Sequence, residues 1–462
     1  MKTKRLHLKP IDQEDLDFLY NLDNHKTVNR YRASDTRTRE FCYAQIENWT
    51  QTYTDEILTV HVVSLSDTGE KIGLVLLVPS TEGEVVLGYR FFENYWNNGY
   101  AYEAVSFLLT AHFKTSNQRI VGDTHSDNES SMKLLAKLGF VEVKEECEKN
   151  MRIFALTQEM FWFTRFNDIP LSEQWRSVEH IDKGWSDDQK YHIVTETGQH
   201  LLLRISQLEK FEEKRAECEM IKQLSQLDFE MSKPYDFGVC REGVYMLLGW
   251  VEGDELEEVI ASLKPFEQYK LGYESGQILN KIHGAKVTVE AFDWAKYFSR
   301  KMDQKIEMYE ACSLKYDKGH IMIDYLNRSR SLLENRPIAL QHGDYHVGNM
   351  IYSKSGHVAI IDFNRMSYGD PWEEFNRIVW DTRQSHAFAR GRVDGYFDNQ
   401  VPPAFFELMA VYIASNTLGS LPWSMAFGEA EIEVMKIQAR DVLHAFDDFK
   451  SIVPRWYSET IG

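Results

Sequence analysis

The sequence predicts an α+β protein of two domains. A mixed sheet with covering helices occupies residues 1–166, and a small sheet lobe (about 175–250) then leads into a large helical lobe (about 251–462). Three observations predict this. At 462 residues the chain exceeds what one ordinary core organises. Strand-like and helix-like stretches alternate up to residue 166, whereas from Pro265 the apolar spacing is mostly helical. Between them, Arg165-Phe166-Asn167-Asp168-Ile169-Pro170-Leu171-Ser172 collects turn-forming residues. That linker is short and not Gly/Ser-rich, so the domains are expected to pack together.

Composition narrows the partners. Hydrophobic residues make up 43% and aromatic residues 13%, ample for burial. A formal net charge of −19 argues against nucleic acid and favours small-molecule ligands, cationic ones among them. The five cysteines (42, 147, 218, 240 and 312) form no Cys-x-x-Cys pair, which implies neither zinc nor a disulfide framework and suits a reducing cytoplasm. The basic N-terminus has no apolar run behind it, so it is not a signal peptide. No stretch is expected to approach membrane-spanning length, and no membrane partner is expected.

In the first domain, Arg5–Pro10 alternates like a strand, and Asp12-x-x-Asp15 opens a helix carrying Leu16, Leu19 and Tyr20. Residues 61–65 and 71–78 flank Asp67-Thr68-Gly69 as a hairpin. Residues 85–92 form another strand and 100–112 a helix. The junction Trp96-Asn97-Asn98-Gly99-Tyr100-Ala101 permits a tight turn that aims backbone N–H groups, backed by the helix dipole, at an anion such as a pyrophosphate. Asn128-Glu129-Ser130-Ser131 then enters a helix ending Leu138-Gly139-Phe140.

These two segments together resemble the Gcn5-related N-acetyltransferases, in their ribosomal-protein acetyltransferase-like branch. That branch carries Trp-Gly-x-Gly-Tyr-Ala-x-Glu-Ala, and Asn-x-x-Ser followed by Leu-Gly-Phe. The resemblance covers residues 1–166 and implies acetyl-CoA bound across a splayed strand. Backbone amides of Asn97, Asn98, Gly99, Tyr100 and Ala101 would hold its pyrophosphate, and Asn128 would contribute to the cofactor site. Asn97 replaces the family's first loop glycine, and Asn tolerates the left-handed conformation. Acetyl transfer needs a base and then an acid for the leaving thiolate. Glu84, Asp123 and His125 are the residues offered as base. Ser131 either donates to the thiolate, as the resemblance implies, or caps its helix.

The second half turns on Gln341-His342-Gly343-Asp344-Tyr345-His346-Val347-Gly348-Asn349, followed by Ile360-Ile361-Asp362-Phe363. An Asp and an Asn five positions apart, then an Asp after a short apolar strand, is a phosphoryl-transfer layout. Asp344 can accept the proton of an attacking hydroxyl, and Asn349 and Asp362 supply the hard oxygen ligands that Mg²⁺ prefers. The run is similar to that of the aminoglycoside-phosphotransferase-like kinases, His-Gly-Asp-x-His-x-x-Asn followed by Ile-Asp-Phe, and every motif position matches.

That resemblance implies a bilobal, protein-kinase-like fold using ATP or GTP. Residues 184–188, including Ser186, would cover the phosphates. Arg204 stands where the family has a third-strand Lys, with Glu217 as its helix partner. The carbonyl of Gly249 and the amide of Val251 would read the purine edge. Asp370 of the Gly-Asp-Pro turn would brace the catalytic loop. A protein kinase is disfavoured, since His-Gly-Asp replaces His-Arg-Asp and no Ala-Pro-Glu segment occurs. The expected activity is bifunctional, phosphorylating a hydroxyl on a small, aminoglycoside-like acceptor and acetylating an amine. The alternative makes the first domain a binding or regulatory module. Asp381, Asp394, Glu407, Glu429 and Glu431 are offered as an acidic wall for a cationic acceptor.

Overall fold

A computed structural model describes residues 1–31, 36–53, 55, 57–81, 83–146, 150–182, 187–286 and 292–459. Two compact units emerge, residues 1–211 with 237–247, and residues 212–236 with 248–462. Both mix helices and sheets, so the α+β expectation holds.

The first unit is built on a seven-stranded sheet. Its strands are β1 (Leu6–Pro10), β2 (Val60–Leu65), β3 (Lys71–Pro79), β4 (Val85–Phe91), β5 (Ile120–His125), β6 (Val141–Glu146) and β7 (Met151–Leu156), in the order β1-β2-β3-β4-β5-β7-β6. The expected hairpin is β2–β3, with Gly69 in its turn at φ +73°. Adjacent strands are antiparallel except β4 and β5, which are parallel and pair only at Val85–Ile120 and Val86–Val121. Beyond those two pairs the strands part. This opening is the splay that the acetyltransferase resemblance implies.

The same unit carries a second sheet of β8 (Trp175–Ile181), β9 (Gln189–Thr195) and β10 (His200–Ser206), completed by the hairpin within residues 237–247. One apolar cluster runs through both sheets, from Leu6 and Leu108 through Trp162 and Phe166 to Tyr191, Ile193 and Tyr245. Trp162 is fully buried and meets the Tyr191 ring edge-on at 5.0 Å. The stretch read as a linker begins inside the helix Gln158–Phe166, where Arg165 is ion-paired with Glu242 and bonded to the Thr110 hydroxyl. Asp168 accepts the Arg241 N–H at 2.6 Å. Those turn residues therefore make packing contacts within the first unit.

The second unit is mainly helical. Its longest helix, Pro403–Ser424, has 22 residues and is, by length and composition, long and apolar enough to cross a membrane. This corrects the expectation that no stretch approaches that length. Because 72% of its apolar window is buried within the protein, it serves as the unit's central helix. Helices Pro265–His283 and His386–Tyr396 pack backbone against backbone at their glycines. Added Cβ atoms on Gly272 and Gly276 would lie 2.1 Å from the carbonyls of Phe388 and Arg392, and those on Gly391 and Gly395 would lie 2.1 and 1.9 Å from Tyr269 and Tyr273. Two Gly-x-x-x-Gly stripes thus interlock, and only hydrogen fits between the backbones. Among the described residues Cys42, Cys218, Cys240 and Cys312 are free thiols.

Candidate active sites

In the second unit, strand Ala339–Gln341 delivers the loop that carries Asp344. Gly343 turns it at φ +86°, where a Cβ would sit 1.9 Å from the Arg365 carbonyl, so no side chain is admissible. The loop's backbone is held by a buried carboxylate, with the N–H groups of His342 and Gly343 donating to Glu374 at 2.7 and 2.8 Å. Burial opposes charge on Glu374. His283, whose Nε2 lies 3.6 Å away, His342 and the Gly343 N–H outweigh it and hold the carboxyl below the usual range.

His342 has a defined tautomer. The Asp344 N–H can only donate, so Nδ1 accepts it at 3.3 Å, and Nε2 then donates to the Ile361 carbonyl at 3.0 Å. One imidazole thereby links the loop carrying Asp344 to the chain carrying Asp362.

Asp344 is half-buried, and Arg377 Nε and Arg365 Nη1 each lie 3.2 Å from one of its oxygens. Asn349 spends its Nδ2 on the Asp344 carbonyl at 2.8 Å, which leaves its oxygen as the atom offered to a cation. The Ile361 N–H donates to the Asn349 carbonyl at 3.1 Å, fixing the two metal-ligand candidates in register. Asp362 adopts φ +64°, ψ +59°, a left-handed conformation that Asp tolerates at modest cost. His346 accepts the Gly348 N–H on Nδ1 at 3.1 Å, and its Nε2 stands 3.6 Å from Asp344. Burial pushes its pKa down to about 4 against the pull of Asp344, so it is neutral at physiological pH. A carboxylate and an amide oxygen fit Mg²⁺, which takes few protein ligands and completes its shell with phosphates and water. Among the described residues no three His, Cys, Asp or Glu side chains converge as a metal cage.

Below the loop, Arg392 is 1% exposed, forms an ion pair with the fully buried Asp381 and donates to the Tyr345 carbonyl at 3.1 Å. Asp381 accepts the Val347 N–H at 2.8 Å. Asp394 accepts from the hydroxyls of Tyr269 and Tyr457 at 2.9 and 2.6 Å. These two acids of the expected acceptor wall therefore serve the interior. Asp370 braces the loop through its carbonyl, which accepts from Gln341 at 2.8 Å. Its carboxylate instead holds Arg336 and the Tyr412 hydroxyl, both at 2.6 Å.

The nucleotide-side expectations fall on both units. In the first, Arg204 is 3% exposed and its Nε donates to Asp188 at 3.2 Å, while the Ser206 hydroxyl donates to the same carboxylate at 2.7 Å. In the second, Glu217 accepts from Lys214 at 2.9 Å. The Gly249 N–H donates to the Lys233 carbonyl at 2.7 Å, and Val251 follows in the irregular segment before strand Gly253–Glu255. Ser186 lies outside the described residues.

In the first unit, Asn97 and Gly99 both adopt positive φ, +60° and +79°, ahead of the helix Tyr100–Thr115. Asn97 thus takes the conformation for which glycine is usual. The Trp96 and Glu103 N–H groups bond to Glu93 and Gly99, but among the described residues no acceptor meets the amides of Asn97, Asn98, Gly99, Tyr100, Ala101 and Tyr102. Arg5 braces this cradle by donating to the Asn98 carbonyl at 3.1 Å and to Glu103 at 2.7 Å.

Asn128 caps the helix Glu129–Lys137 by accepting the Ser131 N–H at 3.3 Å, so the cap belongs to Asn128. The Ser131 hydroxyl shares a 2.8 Å hydrogen bond with the Tyr89 hydroxyl, on β4 three residues past its last pair with β5. Burial pushes Tyr89 up to about 12. Glu84 lies elsewhere. It accepts from Arg119 at 2.8 Å where β4 and β5 are still joined, five residues and roughly 16 Å of strand from Tyr89. Asp123 and His125 are on β5, where His125 stacks on Tyr31 and accepts the Asp127 N–H at 3.2 Å.

Sequence reasoning passed over Glu374, Arg365, Arg377 and Tyr89. Glu374 alone left a signal, four residues after Asp370 in Pro371-Trp372-Glu373-Glu374.

Comparison with known proteins identifies both domains. The profile of the phosphotransferase enzyme family (APH) matches residues 177–407, half of the chain, and that of the acetyltransferase (GNAT) domain matches residues 5–141. The uncharacterized N-acetyltransferase YoaA of Bacillus subtilis (strain 168) is 26% identical over 144 residues, covering 30% of this chain and 81% of YoaA. Among solved structures, aminoglycoside phosphotransferase APH(4)-Ia in complex with ADP and hygromycin B is 14% identical, with a TM-score of 0.46 over 59% of this chain and 96% of its own. A choline/ethanolamine kinase family protein from Mesorhizobium loti is 14% identical, with a TM-score of 0.47 over 63% and 96%. The chain is a transferase that belongs to the phosphotransferase enzyme family and carries a GNAT acetyltransferase domain ahead of its phosphotransferase domain.

Proposed function

We propose that the protein phosphorylates a hydroxyl of a small-molecule acceptor with ATP and acetylates an amine with acetyl-CoA. The observation that supports this best is the tie among Asp344, His342, Ile361 and Asn349, which holds a base and two oxygen ligands on one backbone framework. Asp344 takes the proton of the acceptor hydroxyl, whose oxygen attacks the terminal phosphorus of ATP as the bond to ADP breaks. Asn349 and Asp362 are the residues that would hold Mg²⁺, and Glu374 and His342 keep the loop from shifting. Bound Mg²⁺ neutralises charge on the transferring phosphoryl group. Within the second unit, Glu217 on the nucleotide side and Gly249 and Val251 at the purine belong to the same reading.

In the first unit the unmet amides of residues 97–102 suit the pyrophosphate of acetyl-CoA. The neutral amine attacks the acetyl carbonyl, the C–S bond breaks and CoA leaves as a thiolate that takes the proton of Ser131. Tyr89 resupplies Ser131 through their shared hydrogen bond, and the proton shed by the amine nitrogen passes to solvent, from which Tyr89 is reprotonated. Engagement of Glu84 by Arg119 favours a second reading in which this unit binds acetyl-CoA without turnover.

The test is ADP and CoA release by purified protein over a broad panel of hydroxyl and amine acceptors. The kinase reading expects phosphorylated product that disappears in Asp344→Asn while nucleotide binding persists. ATP-dependent product undiminished in that variant would refute the assignment. Calorimetric binding of acetyl-CoA without CoA release on any amine would select the second reading.

A further inference from the structure

The chain is strongly acidic, yet the flank of its phosphorylation base is cationic. Arg365 and Arg377 approach the two oxygens of Asp344 from residues 363–377, and Lys305, on the helix Trp294–Ala311 with Lys301, lies within electrostatic reach of Arg377. Of the carboxylates on this side of the loop, Glu373 is already held by Lys301 at 2.9 Å and Gln341 at 3.0 Å, and Glu374 by the N–H groups of His342 and Gly343. Resting on the reading that Asp344 deprotonates an acceptor hydroxyl, we propose that the acceptor bears an anionic group, a carboxylate or phosphate, that docks on Arg365, Arg377 and Lys305.

Three features support this. Both arginines meet Asp344 through a single nitrogen at 3.2 Å, longer than the roughly 2.7–2.9 Å of an aligned charge-assisted bond. They are parked beside the base with most of each guanidinium fork uncommitted to it, and that fork matches a planar carboxylate or a phosphate. Lys305 lays its aliphatic stem against Gly419, whose added Cβ would lie 3.1 Å from the stem, and among the described residues no carboxylate comes within ion-pair distance of its ammonium. Burial first, and then Lys301 and Arg377, push Lys305 down to about 8 against the opposing pull of Glu373, and an incoming anion would add to that pull. A cationic acceptor would meet the repulsion of all these groups. Net charge is summed over the whole surface, but the acceptor meets only this corner.

Anionic oxygens at this place have two sources, the acceptor or the terminal phosphate of ATP. Full-length protein is saturated with AMP-PNP and Mg²⁺ and titrated calorimetrically with malonate, inorganic phosphate and spermidine. Malonate or phosphate should bind the loaded protein, and the affinity should fall about tenfold or more in Arg365→Gln and in Lys305→Met. AMP-PNP affinity should stay unchanged in both variants. The proposal is overturned if spermidine binds and the anions do not. It is overturned equally if the anions bind only the ADP-loaded protein, which assigns the arginines to the terminal phosphate. Failure of AMP-PNP itself to bind would be seen before any anion is added and would strike the kinase reading. The anion titrations of nucleotide-free protein would then decide the cationic site alone.

Discussion

Glu374 accepts the N–H of His342 at 2.7 Å, and its other oxygen accepts the N–H of Gly343 at 2.8 Å, so one buried carboxylate carries the backbone on which Asp344 is mounted. A carboxylate can accept at both oxygens, whereas an amide cannot. Glu374→Gln should therefore leave one buried N–H unmet and let the loop shift. We expect kcat to fall on the order of 100-fold with the KM for ATP little changed, measured by coupled ADP release.

The same carboxyl predicts an acid limb of stability. Its pKa is lower in the folded protein than the 4.5 of a free Glu, so its contribution is fully present above that value and is lost as pH falls through the folded pKa. Chemical denaturation from pH 6 downward should show a loss of stability beginning below about pH 4.5 that is smaller in Glu374→Gln.

Arg392 and Asp381 predict the opposite limb. Burial raises Asp381 to about 7 despite Arg392, so its proton-bound form is favoured by folding, and that advantage disappears as pH rises through 7. Arg392→Met leaves the acid without its cation and should cost roughly 3–5 kcal/mol at pH 8. At pH 5.5 Asp381 can remain protonated, so the deficit should shrink. Equal losses of Tm at both pH values would contradict this account.

The interlocked helices predict a steric cost independent of pH. Gly276→Ala places a methyl 2.1 Å from the Arg392 carbonyl and should destabilise by about 1–3 kcal/mol or more in urea denaturation. Gly284→Ala, whose Cβ would lie 3.3 Å from the Asn280 carbonyl, should be much milder.

For acetyl transfer, Tyr89→Phe removes the hydroxyl bonded to Ser131 but leaves the amide cradle intact. CoA release should slow by roughly 10²-fold with acetyl-CoA affinity unchanged. A proportionate loss of acetyl-CoA binding would give Tyr89 a packing role instead.

The motifs for both reactions are legible in the amino-acid sequence because they are local. Asp344 to Asn349 is a five-residue spacing, Asp362 follows one short strand, and Asn97–Ala101 spans one turn, so backbone geometry alone brings these groups near their chemistry. The α+β class is legible for the same reason, since strand and helix periodicities are local properties. The long apolar helix Pro403–Ser424 escapes such a reading, because its hydrophobic residues lie on every face and show no amphipathic stripe.

What lies beyond the sequence depends on contacts between distant segments. Glu374 reaches His342 across 32 positions, Tyr89 reaches Ser131 across 42, and Glu84 is drawn to Arg119. Charge is the clearest case. Composition determined that the chain is acidic, and the motifs around Asp344 and Asn97–Ala101 determined its resemblance to kinases and to acetyl-CoA-dependent transferases. Only the tertiary structure decided that Arg365 and Arg377 gather beside Asp344, with Lys305 near Arg377, while Asp381 and Asp394 turn inward. Electrostatic interaction falls with distance and is screened within about 10 Å, so the field at a site is set by which few side chains are folded next to it.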